Sequence, residues 1–238
     1  MSLGRVGDVT RYPVKSLVGE SLDRVLVEQR GLAGDRLWSV RDPDGKLGSG
    51  KSSRRFRKMA GLLDLRARYD GDVPVIDFPD GRVVRGDDPG VHAALSRQVG
   101  RPVTLAREQD VPHFDEGPVH LVTTASLDRV RGSHGHAVDA RHLRSNLVVE
   151  TAGVGFVEEG WIGRRVRIGT HLVLAVRGAM PRCVMVTMPQ VGLPADRDLL
   201  GTLTEVNDAC LGVVADVVAP GQVAVGDEVV LVDGPVDG

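Results

Sequence analysis

The chain has 238 residues, 42% of them hydrophobic and 26% charged, a balance that supports a core in one large domain or two packed small ones. A net charge of −2 and a pI of about 6.4 argue against a dedicated nucleic-acid binder, which carries a basic excess. Aromatic residues make up only 3%, so valine, leucine and alanine must fill the interior, and valine-rich runs favour strands.

In chain order, strands are predicted over residues 5–12, 22–28 and 37–42, and Asp42-Pro43-Asp44-Gly45 supplies a hairpin turn. Strands over 62–69 and 73–78 follow, with a turn at Pro79-Asp80-Gly81. Asp87 or Asp88 caps a helix beginning near Pro89, in which Val91, Leu95 and Val99 share one face. After a strand at 103–107, the charged stretch 107–117 containing Pro112 reads as a boundary between two β-rich halves. A strand at 119–123 leads into a helix over 124–130, opened by hydroxyl caps. Strands at 147–150, 164–169 and 171–177 precede a helix over 198–207, in which Leu199, Leu200, Leu203 and Val206 form a core stripe. Strands at 212–219 and 228–232 complete the set, and the tail after Val232 reads as disordered. Many short strands between turns indicate a barrel or sandwich, not a parallel βαβ sheet. No apolar run approaches the ~20 residues of a membrane span, and the N-terminus lacks a signal-like apolar core. A cytoplasmic location is therefore expected.

Chemistry concentrates in a few places. Cys183 and Cys210, separated by 26 residues, read as reduced thiols and cannot alone make a zinc site. Pro181 ends the preceding strand, so Cys183 follows a turn, and Arg182 beside it favours the thiolate. A small core residue is the other reading of Cys183. The stretches Arg11–Leu17 and Gly31–Arg36 form turns where Lys15, Ser16, Asp35 and Arg36 can converge on an anion or simply be solvated. Residues 51–58 hold five basic side chains in eight but one ring, Phe56, which suits a phosphate loop or a solvated face better than single-stranded nucleic acid. Thr123-Thr124-Ala125-Ser126 either caps a helix or offers its N-terminus to an anion. Arg144 and Asn146, two apart before a strand, can face one ligand. His134-Gly135-His136 with His142 is the nearest approach to a histidine metal set, and it reads as a polar loop. One thiol amid anion-binding loops suits a ligand that joins a thiophilic metal to a phosphate.

These residues resemble a known family. Tyr12-Pro13-Val14-Lys15-Ser16-Leu17 and Gly31-Leu32-Ala33-Gly34-Asp35-Arg36-Leu37-Trp38 are similar to the N-terminal β-barrel region that accompanies MOSC domains. Residues 119–127, 143–149, Glu159-Gly160-Trp161-Ile162-Gly163, Val166-Arg167-Ile168-Gly169, Pro181-Arg182-Cys183 and Gly226-Asp227-Glu228-Val229 resemble the MOSC domain itself. Amidoxime-reducing components and the C-terminal part of molybdenum cofactor sulfurase belong to this family. The resemblance implies a mainly β fold with a few helices, an N-terminal β-barrel-like unit (1–107) packed on a MOSC β-barrel (117–233), and a disordered tail (234–238). It implies a molybdopterin whose metal is held by Cys183, the catalytic residue, with Arg182 adjacent. Lys15, Ser16, Arg36, Thr124, Ser126, Arg144 and Asn146 match positions expected to hold the pterin and its phosphate.

The chain departs from the reductase pattern at Ser145, where Arg-Pro-Asn is common, and near Thr124, where an acidic residue is common. The implied activity is two-electron reduction of an N-hydroxylated or oxygenated small molecule, with electrons from a separate protein. No pyridoxal-phosphate domain and no iron–sulfur cluster are expected, since two cysteines cannot hold a cluster that needs four. Neither nucleic acid nor membrane is an expected partner. A persulfide-carrying sulfur-transfer protein and a non-catalytic cofactor binder are the alternatives.

Overall fold

The computed structural model describes residues 2–232. The N-terminal half contains β1 (Ser2–Arg11), β2 (Glu20–Ser21), β3 (Arg24–Glu28), β4 (Gly31–Leu32), β5 (Trp38–Arg41) and β6 (Leu47–Ser49). It continues with β7 (Phe56–Lys58), β8 (Arg66–Asp70), β9 (Val73–Asp77), β10 (Val83–Arg85), α1 (Val91–Val99) and β11 (Thr104–Arg107). The second half holds β12 (Val119–Thr123), α2 (Thr124–His134), α3 (Ala140–Leu143), β13 (Leu147–Glu150), β14 (Arg165–Ile168) and β15 (Leu172–Pro181). Then come α4 (Leu199–Asn207), β16 (Cys210–Ala219), β17 (Gly221–Ala224) and β18 (Glu228–Val232).

Seven strands close into a barrel in the order β13-β12-β16-β15-β14-β18-β1, and β1 pairs back onto β13. Closure leaves no exposed edge in this sheet. Its interior is aliphatic: Val6, Val9, Leu121, Leu147, Val166, Ile168, Leu174, Val213 and Val229 are buried, and Trp161 is the one ring among them. Alternation produces this lining, as in β14, where Val166 and Ile168 are buried between half-exposed arginines. Gly212, at φ 77°, lets β16 pass against β12; a Cβ there would stand 2.5 Å from the Leu121 carbonyl oxygen.

Outside the barrel, the order β11-β5-β6-β7 and the meander β10-β9-β8 share a second core with α1, built on Val14, Leu17, Val40, Leu62, Ile76, Leu95 and Leu105. A third core joins α2 and α4 through Val130, Leu199 and Leu203. Strand pairing crosses the 107–117 boundary three times, in β1 with β13, β1 with β18 and β3 with β17. β1 sits within the barrel.

The expected barrel includes one helix-bridged parallel pair, β12 with β13, spanned by α2 and α3, and β6 also pairs in parallel with β7 outside the barrel. Several expectations need correction. The strand expected over 62–69 begins only at Arg66; Leu62 and Leu65 are buried through a turn closed by a 3.2 Å bond from Leu65 N–H to the Leu62 carbonyl. β15 runs to Pro181 instead of stopping at Arg177, and α2 reaches His134. The tail 233–238 lies outside the described residues.

Candidate active site

A cavity of about 200 Å³ opens where the mouth of the barrel meets the N-terminal half. Its walls come from distant segments: Lys15 and Ser16 after β1, Arg36 before β5, Ser49 at the end of β6 with Lys51 beyond it, and Phe114–Gly117 from the connection. His120 of β12, Leu143, Arg144 and Asn146 around the end of α3, and Met180–Cys183 at the end of β15 complete it. Ser16, Arg36 and Arg144 adopt left-handed backbone angles, φ 66°, 48° and 54°. Non-glycine residues avoid this region, so three of them around one cavity mark a constrained site.

Five cations line the cavity (Lys15, Arg36, Lys51, Arg144 and Arg182) against two carboxylates, Asp115 and Glu116. Tyr12 lies under two of them, with the Arg36 guanidinium 4.7 Å and the Arg144 guanidinium 4.3 Å from its ring centroid. Burial pushes the Tyr12 phenol up to about 12, so the ring remains neutral in this cationic setting. Arg36 is anchored by Asp35 and by a 3.0 Å bond to the Arg144 carbonyl oxygen. Arg144 differs: both terminal nitrogens are buried without a hydrogen-bond partner, and burial lowers its pKa to about 10. Lys15 is 5% exposed, contacts Asp115, and is lowered by burial to about 8. Lys51 reaches the same carboxylate at 3.5 Å.

Cys183 follows the last residue pair of β15 and starts a short 3₁₀ turn, Val184–Thr187. Arg182 fixes this corner by donating to the Leu143 carbonyl at 2.8 Å and to the Leu211 carbonyl at 2.9 Å, and by contacting His120. Burial drives His120 well below its ordinary range, which keeps it neutral and able to accept from Arg182. The corner therefore presents a half-exposed thiol beside a part-buried guanidinium.

Of the residues singled out from sequence, Lys15, Ser16, Arg36, Arg144, Asn146, Arg182 and Cys183 share this cavity. Asn146 lines it but spends its amide elsewhere, accepting from His120 N–H at 3.1 Å and donating to the Thr10 carbonyl at 3.2 Å. Thr124 and Ser126 are not there. Ser126 is fully buried and donates to Glu158 at 2.5 Å, while Thr124 faces Thr151. Their hydroxyls serve the start of α2, where the Thr123 side chain accepts from Ser126 N–H, and not the cavity. Sequence reasoning missed Asp115, which sits in what read as a mere boundary, and Tyr12, whose ring was seen only as part of a motif. Of the basic run, Lys51 reaches the cavity, whereas Arg57 pairs with Asp42 and Asp44 at 2.7 Å each.

Comparison with known proteins places this geometry in context. A family model described as the MOSC domain matches residues 95–230, and one described as the MOSC N-terminal beta barrel domain matches residues 3–82. Mitochondrial amidoxime-reducing component 1 of Mus musculus is 25% identical over 246 residues, covering 84% of this chain and 71% of the relative. The crystal structure of the YuaD protein from Bacillus subtilis superposes with a TM-score of 0.52 at 14% identity, covering 95% of this chain and 93% of that one, a likeness of fold alone. With the first of these family models spanning more than half of its length, the chain belongs to the MOSC domain family.

Proposed function

We propose that this chain binds the molybdenum cofactor in the cavity at the barrel mouth and reduces N-hydroxylated or otherwise oxygenated small molecules there. The observation that carries the reading is Arg144. A guanidinium with two buried, unpartnered nitrogens, in one cavity with four other cations and a half-exposed thiol, suits a ligand that is both anionic and thiophilic. The name of the mouse relative, which covers 84% of this chain, points to amidoximes as the substrate class.

In this reading the Cys183 thiolate would hold the metal, and Lys15, Arg36, Lys51 and Arg144 would hold the phosphate and pterin. When bound, the cofactor supplies two-electron redox chemistry that removes oxygen from the substrate as water. The chain's own part is electrostatic and positional. Tyr12 holds Arg36 and Arg144 from one side, so both charges stay aimed at the ligand without reorganisation. Arg182, tied to two carbonyls and His120, keeps the Cys183 corner in place. Lys15, at about 8, can hold or release a proton at Nζ near neutrality, with Asp115 as its partner. Asn146 acts as a positioning residue that bolts β1 to β12 beneath the site.

The proposal includes a separate electron-donor protein and a cytoplasmic location; no helix among the described residues is long and apolar enough to cross a membrane. It also takes 1–107 and 117–233 as the two sequence units, with β1 lent to the barrel. Metal analysis of protein made in a molybdate-supplied host, beside Cys183→Ala, tests the reading. About one molybdenum per chain is expected, and its loss in the variant. Molybdenum absent from both, with a positive control loaded in the same host, refutes it and favours a persulfide carried on Cys183.

A further inference from the structure

A second constellation lies at the C-terminal end of α2 and takes no part in the cavity. His134, the last residue of α2, brings Nε2 to 2.9 and 3.0 Å from the two carboxylate oxygens of Asp196. Its Nδ1 lies 2.8 Å from Thr202 Oγ1 on α4. His136, exposed and two residues on, sets its ring centroid 4.1 Å from that of His134. One ligand atom from each of His134, His136 and Asp196 lies within 4.8 Å of the others.

Proton counting shows what this arrangement can hold. The Thr202 hydroxyl is 3.2 Å from the Asp198 carbonyl oxygen, an acceptor for its proton. With that proton so placed, Thr202 Oγ1 can accept from His134 Nδ1–H, the tautomer in which Nε2 faces the Asp196 carboxylate with its lone pair open to a metal ion. At 2.9 Å the same pair of atoms can share a proton, which a bound metal ion would displace. A metal ion with ligands at about 2.0–2.2 Å needs them only slightly further apart, a small adjustment of side chains. The relay from Nδ1–H through Thr202 to a backbone carbonyl is the outer support that fixes the tautomer of a ligating imidazole. His136 has its Nδ1 3.3 Å from the Ala137 carbonyl oxygen, which leaves Nε2 for the same ion.

We propose that His134, His136 and Asp196 form a site for a divalent transition metal of the zinc class, with water as the fourth ligand. Two imidazoles and one carboxylate match the ligand preference of zinc and cobalt over magnesium and calcium. The ion clamps α2 to the segment that follows the Cys183 corner, because Asp196 N–H donates to the Thr187 carbonyl at 3.2 Å. The second and third partners lie two and 62 residues from His134, and His142, grouped with the pair by sequence, instead lines the cavity.

The test is equilibrium dialysis and optical titration of the tag-free full chain with Zn²⁺ and Co²⁺ alone, beside His136→Ala, Asp196→Asn and Cys183→Ala. The expected result is one ion per chain, a cobalt spectrum without a thiolate charge-transfer band, and unchanged binding in Cys183→Ala. Affinity should fall at least about tenfold in His136→Ala and in Asp196→Asn, given that loss of even a supporting partner costs about 10–100-fold. His136 is exposed, so its removal spares the fold, and circular dichroism of both variants verifies this. Absence of stoichiometric binding, or equal affinity in His136→Ala, overturns the proposal. Because the Cys183 cavity is separate, either outcome leaves the molybdenum reading standing or falling on its own test.

Discussion

Arg144→Met isolates the electrostatic cost of the cavity from its benefit. Burial lowers the guanidinium from 12.5 to about 10, which corresponds to about 3 kcal/mol against the charged form. Neither terminal nitrogen has a hydrogen-bond partner to offset this. Methionine retains most of the buried stem and removes the charge. It also gives up the stack on Tyr12, 4.3 Å from the ring centroid, a contact worth about 1–2 kcal/mol when desolvated. Cofactor-free Arg144→Met should therefore be more stable than the native chain by about 1–2 kcal/mol, a rise in Tm of roughly 2–8 °C for a chain of this size. Inorganic phosphate should raise the Tm of the native chain by mass action and leave that of the variant almost unchanged. Differential scanning calorimetry, with and without phosphate, reads both effects. A variant destabilised by more than about 2 kcal/mol, or one that responds to phosphate as the native chain does, refutes the account of Arg144 as an unpaired charge awaiting an anion.

Two more perturbations separate binding from support. Ser126→Ala removes one donor to the buried Glu158 carboxylate and should cost about 1–3 kcal/mol in urea denaturation; phosphate affinity should not change, and a lowered affinity would return Ser126 to the cavity. Lys15 titrates near 8 when folded, below its ordinary 10.5, so phosphate affinity should decline as pH rises above about 8. Between about 8 and 10.5 the unfolded chain binds the extra proton, so this group makes stability rise with pH over that window. Calorimetric titration and denaturation across pH should show both trends in the native chain and neither in Lys15→Met.

Strand periodicity and turn chemistry were legible because they are local. The alternation in β14 and the Asp-Pro-Asp-Gly turn each act within a few residues, and motif resemblance carried Lys15, Arg36, Arg144, Arg182 and Cys183. Hydroxyls at the start of α2 misled, since Thr124 and Ser126 look the same whether they cap a helix or bind an anion. The parallel pairing of β12 with β13 was also hidden, because short valine-rich strands carry no mark of direction.

The sequence by itself determined the β-rich class and the aliphatic interior, both consequences of short-range pattern, and the resemblance of its motifs to a family singled out the segments that meet at the cavity. Tertiary structure alone decided that β1 completes the barrel, that Asp115 faces Lys15 from 100 residues away, and that Asp196 meets His134. Charge pairing across such distances follows from how strands close and loops return, and no local propensity encodes it.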